Sequence, residues 1–380
     1  MASALDNLRV LDFSRILAGP FATMMLADLG ATVTKVERPG TGDDTRSWGP
    51  PYDAAGEATY FQAINRNKDS LVLDLSSPEG LAHAHRLAAE ADVVVENFRP
   101  GVMDRLGLGY DELRAANPGL VYCSITGFGR EGGAALPGYD LLVQAVGGLM
   151  SITGTPGGEP QKAGVALVDV LAGLFSTVGI LAALQHRGAT GEGQRVEVNL
   201  LSSLLAALVN QGAAYTAGGV VPARMGNGHP SIAPYEVMRA ADTDLVLAVG
   251  NDGQFASLCT VLGVPELAQD ARFATNTARV TNRSPLREAL EEQLTTRSAG
   301  DWAKALTAAR VPAGVVNDVA GAFALAGELG LDPVVSVPRE DGTAVDLTRN
   351  PIGLSVTPPT YRSAPPRLGE SDRPHRTTHS

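Results

Sequence analysis

Apolar and polar positions in the first 130 residues fall into two alternating textures. Short runs rich in Val, Ile and Leu, bounded by turn residues, occur at LRVLDF (8–13), TVTKVE (32–37), SLVLDL (70–75), DVVVEN (92–97) and LVYCSITGF (120–128). Each reads as a strand. Between them PFATMMLADLG and SPEGLAHAHRLAAEA carry helical patterns, the second opening with Ser77 as cap and Pro78 at the first helical position. Strands alternating with helices predict an α/β fold: a Rossmann-like large domain with a parallel sheet covered on both faces. ALPGYDLLVQAVGGLM adds a helix, and QRVEVNL (194–200) a further strand before a helix over 201–216.

Residues 164–184, GVALVDVLAGLFSTVGILAAL, are apolar almost throughout, yet Asp169 stands near their start. From Val170 to Leu184 the pattern predicts a helix of about 15 residues, buried on most faces and shorter than the roughly 20 needed to span a bilayer. Asp169 at its head suits an N-cap, since a carboxylate accepts a free amide of the first turn and its charge matches the helix dipole. A carboxylate in such surroundings is also a candidate for chemistry.

The texture changes after residue 216. The expected organisation is a large domain over 1–216, a linker and glycine loop at 217–235, a smaller α/β domain over 236–310, a return to the large domain at 311–370 and a frayed tail at 371–380. Strand-like DLVLAVG (244–250) and amphipathic helices near 252–262, 284–296 and 300–310 support the smaller domain.

Composition narrows the function. A net charge of −11 disfavours a nucleic-acid or anionic-membrane partner. Two cysteines, Cys123 and Cys259, form no disulfide framework, and no Cys or His spacing suits a metal. The opening MASALDNLRVLDF has no signal-peptide pattern, so the cytoplasm is the expected compartment.

The first turn, DFSRILAGPFA, lacks GxGxxG, which argues against a dinucleotide. ERPGTGDDTR joins Arg38 and Arg46 to a Gly-rich loop suited either to phosphate oxygens or to local ion pairs in solvent. ENFRPGVMDRLG follows a strand and offers Asn97, Phe98, Arg99 and Arg105 to a nucleotide, or forms a turn with Phe98 in the core. PGYD places Tyr139 and Asp140 before a helix, and MGNGHPSIAPYE sets Gly226, Asn227, Gly228 and His229 in a loop able to close over a ligand or to connect domains.

Taken in order, RVLDFSRILAGPFATMMLADLGATVTKVERPGTGDDTR, NRNKDSLVLDL, VVENFRPGVMDRLG, GYDLLVQAVGGLMSITG, GVALVDVLAGLFSTVGILAAL and GNGHPSIAPYE resemble the family III CoA-transferases of the CaiB/BaiF type. Within that family the chain looks most like the branch containing succinyl-CoA:glutarate CoA-transferase. The resemblance implies a CoA-binding large domain built from both chain ends, and two ring-like subunits interlocked as a homodimer. It implies Asp169 as nucleophile, with Asp140, Tyr139 and the loop Gly226–His229 in supporting positions. It assigns CoA contacts to Ile16, Leu17, Ala18, Arg38, Leu73, Asn97, Phe98 and Arg105, with CoA as substrate and no cofactor or metal.

Departures from the family pattern carry information. Formyl-CoA transferase has glutamine where this chain has Leu17, which argues against formyl or oxalyl chemistry, and glutamate where it has Asp140, so a nearby acid is retained. The 2-methylacyl-CoA racemases of the same fold have histidine where this chain has Tyr139, a poor base at neutral pH. That favours transfer over racemisation; a third alternative, a non-catalytic CoA-binding protein, would be favoured by a non-acidic residue at 169, where this chain has Asp169. A succinyl-CoA donor and a dicarboxylate acceptor are expected, with Arg15, Arg66, Arg224 and His229 as candidates for the acid's far carboxylate.

Overall fold

The computed structural model describes residues 3–372, and the chain divides into two units, residues 3–149, 162–220 and 332–372 forming the first and residues 150–161 and 221–331 the second. In the first, β1 (Arg9–Asp12), β2 (Thr32–Glu37), β3 (Lys68–Val72), β4 (Val93–Glu96), β5 (Val121–Thr126) and β6 (Arg195–Asn199) form a wholly parallel sheet in the order β3-β2-β1-β4-β5-β6. Val10 pairs with Val33 on one side and Val93 on the other. Val93, Val94 and Val95 are wholly buried, so both faces of the sheet are covered. The strand order reverses between β1 and β4, which opens a crevice at their carboxyl ends.

The covering helices are α1 (Ala18–Asp28), α2 (Pro78–Glu90), α3 (Asp140–Val146) and α4 (Leu167–Thr190). Ser77 caps α2 by accepting the Gly80 amide at 3.0 Å. Two expectations about α4 are corrected. It has 24 residues, not about 15, and by length and composition it could cross a membrane. Length therefore does not assign it; packing does, since Val168, Ala172, Ile180 and Ala183 lie in one cluster with Val93, Val95 and Val121 of the sheet. Asp169 is the third residue of the helix and not its cap; that position belongs to Ala166. The helix expected over 201–216 is two, Leu200–Ala207 and Val209–Thr216, broken where Val209 takes a φ of 41°.

The chain returns to the first unit at residue 332 and not at 311. The reason is strand pairing: Ala313–Val315 hydrogen-bonds along Asp244–Ala248, which also pairs with Tyr235–Arg239 in an antiparallel sheet of the second unit. Helices Asp252–Leu262, Arg283–Leu294 and Ala299–Ala308 pack Phe255, Leu290 and Trp302 into its core. The expected frayed tail lies outside the described residues from 373 onward.

In the returning segment, Arg66 ties residues far apart in sequence. Its guanidinium donates to both oxygens of Asp28, at 2.9 and 2.6 Å, and to the Thr348 carbonyl at 2.9 Å. Asn67 and Asn350 also donate to Asp28, at 2.8 and 3.0 Å. Arg66 is thus buried and paired, which removes it as a candidate for an acceptor's carboxylate.

Candidate active site

The crevice between β1 and β4 is built from three loops. Residues 13–17 lead from β1 into α1, and Asn97 and Phe98 follow β4. The Asn97 side chain accepts the Arg15 amide at 2.9 Å and donates to the Arg15 carbonyl at 2.7 Å, so it fastens the two loops together. The clamp uses one N–H and one lone pair of the Asn97 amide and leaves a second of each for a ligand. The Arg15 guanidinium lies 4.9 Å from the centre of the Phe98 ring. The third loop, 38–46, reaches the first through Asp43, whose carboxylate oxygens both lie 3.3 Å from the Ile16 amide nitrogen.

The structure therefore brings together Ile16, Leu17, Ala18, Asn97 and Phe98. Leu17 and Ala18 are buried, and Leu73 is buried with Leu11, Phe13 and Val36. Arg38 is exposed, donating to Thr41 Oγ1 at 2.7 Å and pairing with Asp44. Arg105 is exposed in the short helix Val102–Arg105, with no ion pair among the described residues. Arg46 departs from the phosphate expectation. It binds both oxygens of Glu37, at 2.8 and 2.7 Å, and lies 3.7 Å over the Phe61 ring, so it is a structural residue.

Asp169 sits in the first turn of α4. Gly173, four residues on, shares its face. A Cβ at Gly173 would lie 2.7 Å from the Ala18 carbonyl oxygen, so α4 meets the start of α1 in direct backbone contact, and Asp169 stands one turn from that seam. Asp140 caps α4 from another element: its Oδ1 accepts the amides of Val168 and Asp169 at 2.8 and 3.2 Å. The buried Gln144 holds Asp140 in place, donating to its Oδ2 at 2.6 Å while accepting the Ala163 amide at 2.8 Å.

Burial pushes the Asp169 carboxyl up to about 7, and the negative charge of Asp140 adds to the rise. Charge on both aspartates, after burial, also raises the Tyr60 phenol to about 12. Tyr60 packs edge-on to Trp48, ring centres 5.2 Å apart. Neither residue was singled out in the sequence; an isolated aromatic outside any periodic run carries no local signal. Tyr139 is 62% exposed at the head of α3.

In the second unit the glycine loop is anchored and not a free linker. His229 Nδ1 accepts the Ser231 amide at 3.1 Å, its ring packs on Tyr235, and Arg283 donates to the Pro230 carbonyl at 3.1 Å. Gly226, at a φ of 62°, donates to the Gly154 carbonyl at 3.0 Å, and Asn227 and Gly228 lie in the same turn. Among the described residues no group of His, Cys, Asp and Glu is arranged to hold a metal ion.

Asp169 thus stands on a long helix one turn from the start of α1. The family described as CoA-transferase family III matches residues 5–372. The chain belongs to that family. It is 47% identical to the succinate–glutarate CoA-transferase of Agrobacterium fabrum, over 96% of this chain and 93% of that one. It is 41% identical to the acetyl-CoA:oxalate CoA-transferase of Acetobacter aceti, over 96% and 93%. A solved CaiB/BaiF family protein from Brucella suis superposes with a TM-score of 0.87 at 46% identity, covering 98% of both chains. The protein is thus a family III CoA-transferase, acting on acyl-CoA and carboxylate substrates.

This family III CoA-transferase has a carboxylate at 140 able to act on Asp169 in two ways, as helix cap and as charge. Asp140→Asn separates them, because Asn keeps an accepting oxygen and loses the charge. A carboxyl group attacks only when ionised, so activity that depends on Asp169 is expected to rise with pH through about 7 in the parent. In Asp140→Asn the inflection is expected at lower pH, with burial alone still holding it above the usual aspartate range. A pH profile of the donor half-reaction measures both.

Proposed function

We propose that Asp169 is the nucleophile of a transfer from succinyl-CoA to a dicarboxylic acid. The observation that carries this is its place one turn before the contact of α4 with the start of α1, where burial and the charge of Asp140 raise its pKa to about 7. An Asp169 oxygen attacks the thioester carbonyl and expels CoA thiolate, leaving a mixed anhydride. The thiolate attacks the aspartyl carbonyl, releasing succinate and forming an aspartyl-CoA thioester. The acceptor carboxylate attacks that thioester, giving a second anhydride and thiolate. Attack of the thiolate on the acceptor's acyl carbon frees the new acyl-CoA and restores the carboxylate. No net proton is consumed, and each step replaces one difficult exchange by an easier one.

The surroundings support this sequence. Burial of Asp169 limits the access of water that would hydrolyse the anhydride. The amides at the start of α1 favour developing negative charge. CoA is read as lying on Ile16, Leu17 and Ala18, against Leu73 and Phe98, with Arg38 and Arg105 toward its phosphates; Asn97 enters this reading as the clamp beneath Arg15. The names of the relatives that act with glutarate support the choice of acids, and Leu17 in place of glutamine supports it against oxalate. An interlocked homodimer belongs to the same proposal; Leu174, Phe175 and Val178 leave an apolar stripe of α4 exposed on the single chain. Residence in the cytoplasm fits the two free, buried thiols.

A matrix of CoA donors against carboxylic acids tests the substrate assignment. The expected result is the highest kcat/KM for succinyl-CoA with a five-carbon dicarboxylate. Preference for acetyl-CoA with oxalate would overturn it. In D2O, exchange at the second carbon of a 2-methylacyl-CoA without any transfer would favour racemisation instead.

A further inference from the structure

The turn carrying Ile16 is held in a conformation that its own residues disfavour. Ile16 has a φ of 69°, and a β-branched side chain in the left-handed region is strained. Such a conformation persists only where the surroundings over-determine it. The surroundings here are two charges with no exposed side-chain surface: Lys35 Nζ lies 2.8 Å from Asp43 Oδ2 and donates to the Ser14 carbonyl at 2.8 Å. The same Asp43 carboxylate reaches the Ile16 amide, and accepts the Thr45 amide and hydroxyl at 3.0 and 2.8 Å. Asp43 is fixed from its own backbone as well, its amide donating to Glu37 Oε2 at 2.8 Å.

We propose that Lys35 and Asp43 are positioning residues for acyl-CoA, a buried ion pair that staples the Ser14–Ile16 turn to loop 38–46 before any ligand arrives. Neither side chain touches substrate. Lys35 fixes the turn from its carbonyl side and Asp43 from its amide side, so the Ile16 backbone and Arg38, which lies between the paired residues in sequence, are presented as one rigid receptor. A buried ion pair is seldom the most stabilising choice for a core, since well-packed apolar residues of similar volume often do as well or better. Its use here follows from geometry: an apolar pair could fill the space but would leave the Ser14 carbonyl and Ile16 amide without partners. The benefit is preorganisation, which lowers the ordering cost of binding.

The proposal rests on the reading that Ile16–Ala18 and Arg38 contact CoA, so Arg38→Ala is measured in parallel. The paired variant Lys35→Met/Asp43→Asn removes both charges together and keeps an acceptor oxygen at 43, avoiding an unpaired buried ion. Its CoA dissociation constant is expected to rise at least about tenfold, with kcat at saturating acyl-CoA within about threefold of the parent. Parental CoA affinity in a folded paired variant, with Arg38→Ala weakened, would overturn the positioning role and leave the CoA site standing. Parental affinity in Arg38→Ala would instead overturn the site reading and the proposal with it. Hydrogen exchange on the unaltered, CoA-free enzyme supplies a test that needs no variant. Slow exchange of the Arg15 and Ile16 amides is expected; fast exchange there, slowed only by CoA, would show that the turn is not preformed.

Discussion

Asp169→Asn is expected to lower CoA transfer by a factor of about a thousand or more while the protein folds and binds CoA. The cap of α4 is supplied by Asp140, so Asn at 169 disturbs no hydrogen bond that starts the helix. What is lost is the attacking oxygen anion. Hydroxylamine added to enzyme and acyl-CoA donor, without acceptor, should label the peptide containing Asp169 in the parent and leave the variant unlabelled. Label on Asp140, or parental turnover in the variant, would remove the assignment. Stability moves the other way from activity. A carboxyl raised from 3.8 to about 7 binds a proton more tightly in the folded state, so ionising it costs folding free energy as pH rises through that window. Above pH 7 the Asn variant should therefore be the more stable, by roughly 1–2 kcal/mol once partial exposure is allowed for, and the difference should vanish below about pH 4.

Arg66→Met is expected to destabilise the fold by about 3–5 kcal/mol, because it leaves Asp28 buried without its ionic partner. The returning segment loses one of its anchors at the same time, since Arg66 also holds the Thr348 carbonyl. Denaturant melts measure the loss. At a temperature where the variant is folded, its preference among acceptor acids should match the parent's; a change in that preference alone would restore Arg66 to the substrate site. Arg66→Met/Asp28→Leu, which removes both charges, should recover part of the stability.

The strands of the large sheet were legible because each is a short Val-rich run between turn residues, and the parallel pairing followed from the helices between them. The chemistry of individual side chains was less so, for a consistent physical reason. Asp169 looked like a cap because a carboxylate before an apolar helix has that property locally; its displacement to the third position, and the arrival of Asp140 from 29 residues away, are tertiary facts. Arg46 and Arg66 carried no mark separating them from Arg38. Glu37 and Asp28 claim them in the folded chain, and only the spatial neighbours decide which cation stays free. Likewise the second unit continues to residue 331 because Ala313–Val315 finds its partner strand in Asp244–Ala248, far earlier in the chain. No local composition shift announces that. Asp140 was noticed, but as a spare acid; that it caps the helix of another carboxylate required the fold.

The contact at Gly173 bears on how such an enzyme changes its substrates over evolutionary time. At Gly173 the backbone of α4 lies against the Ala18 carbonyl and the Phe21 side chain of α1, and even one methyl group would force the two helices apart. A shift of an ångström between a nucleophile and the thioester it attacks is worth roughly a hundredfold in rate. Position 173 is therefore a place where drift is closed, whatever acid the enzyme uses. Lineages exploring new acids must do so through residues that face the acyl chain and leave this seam alone, which confines the search to a small part of the molecule.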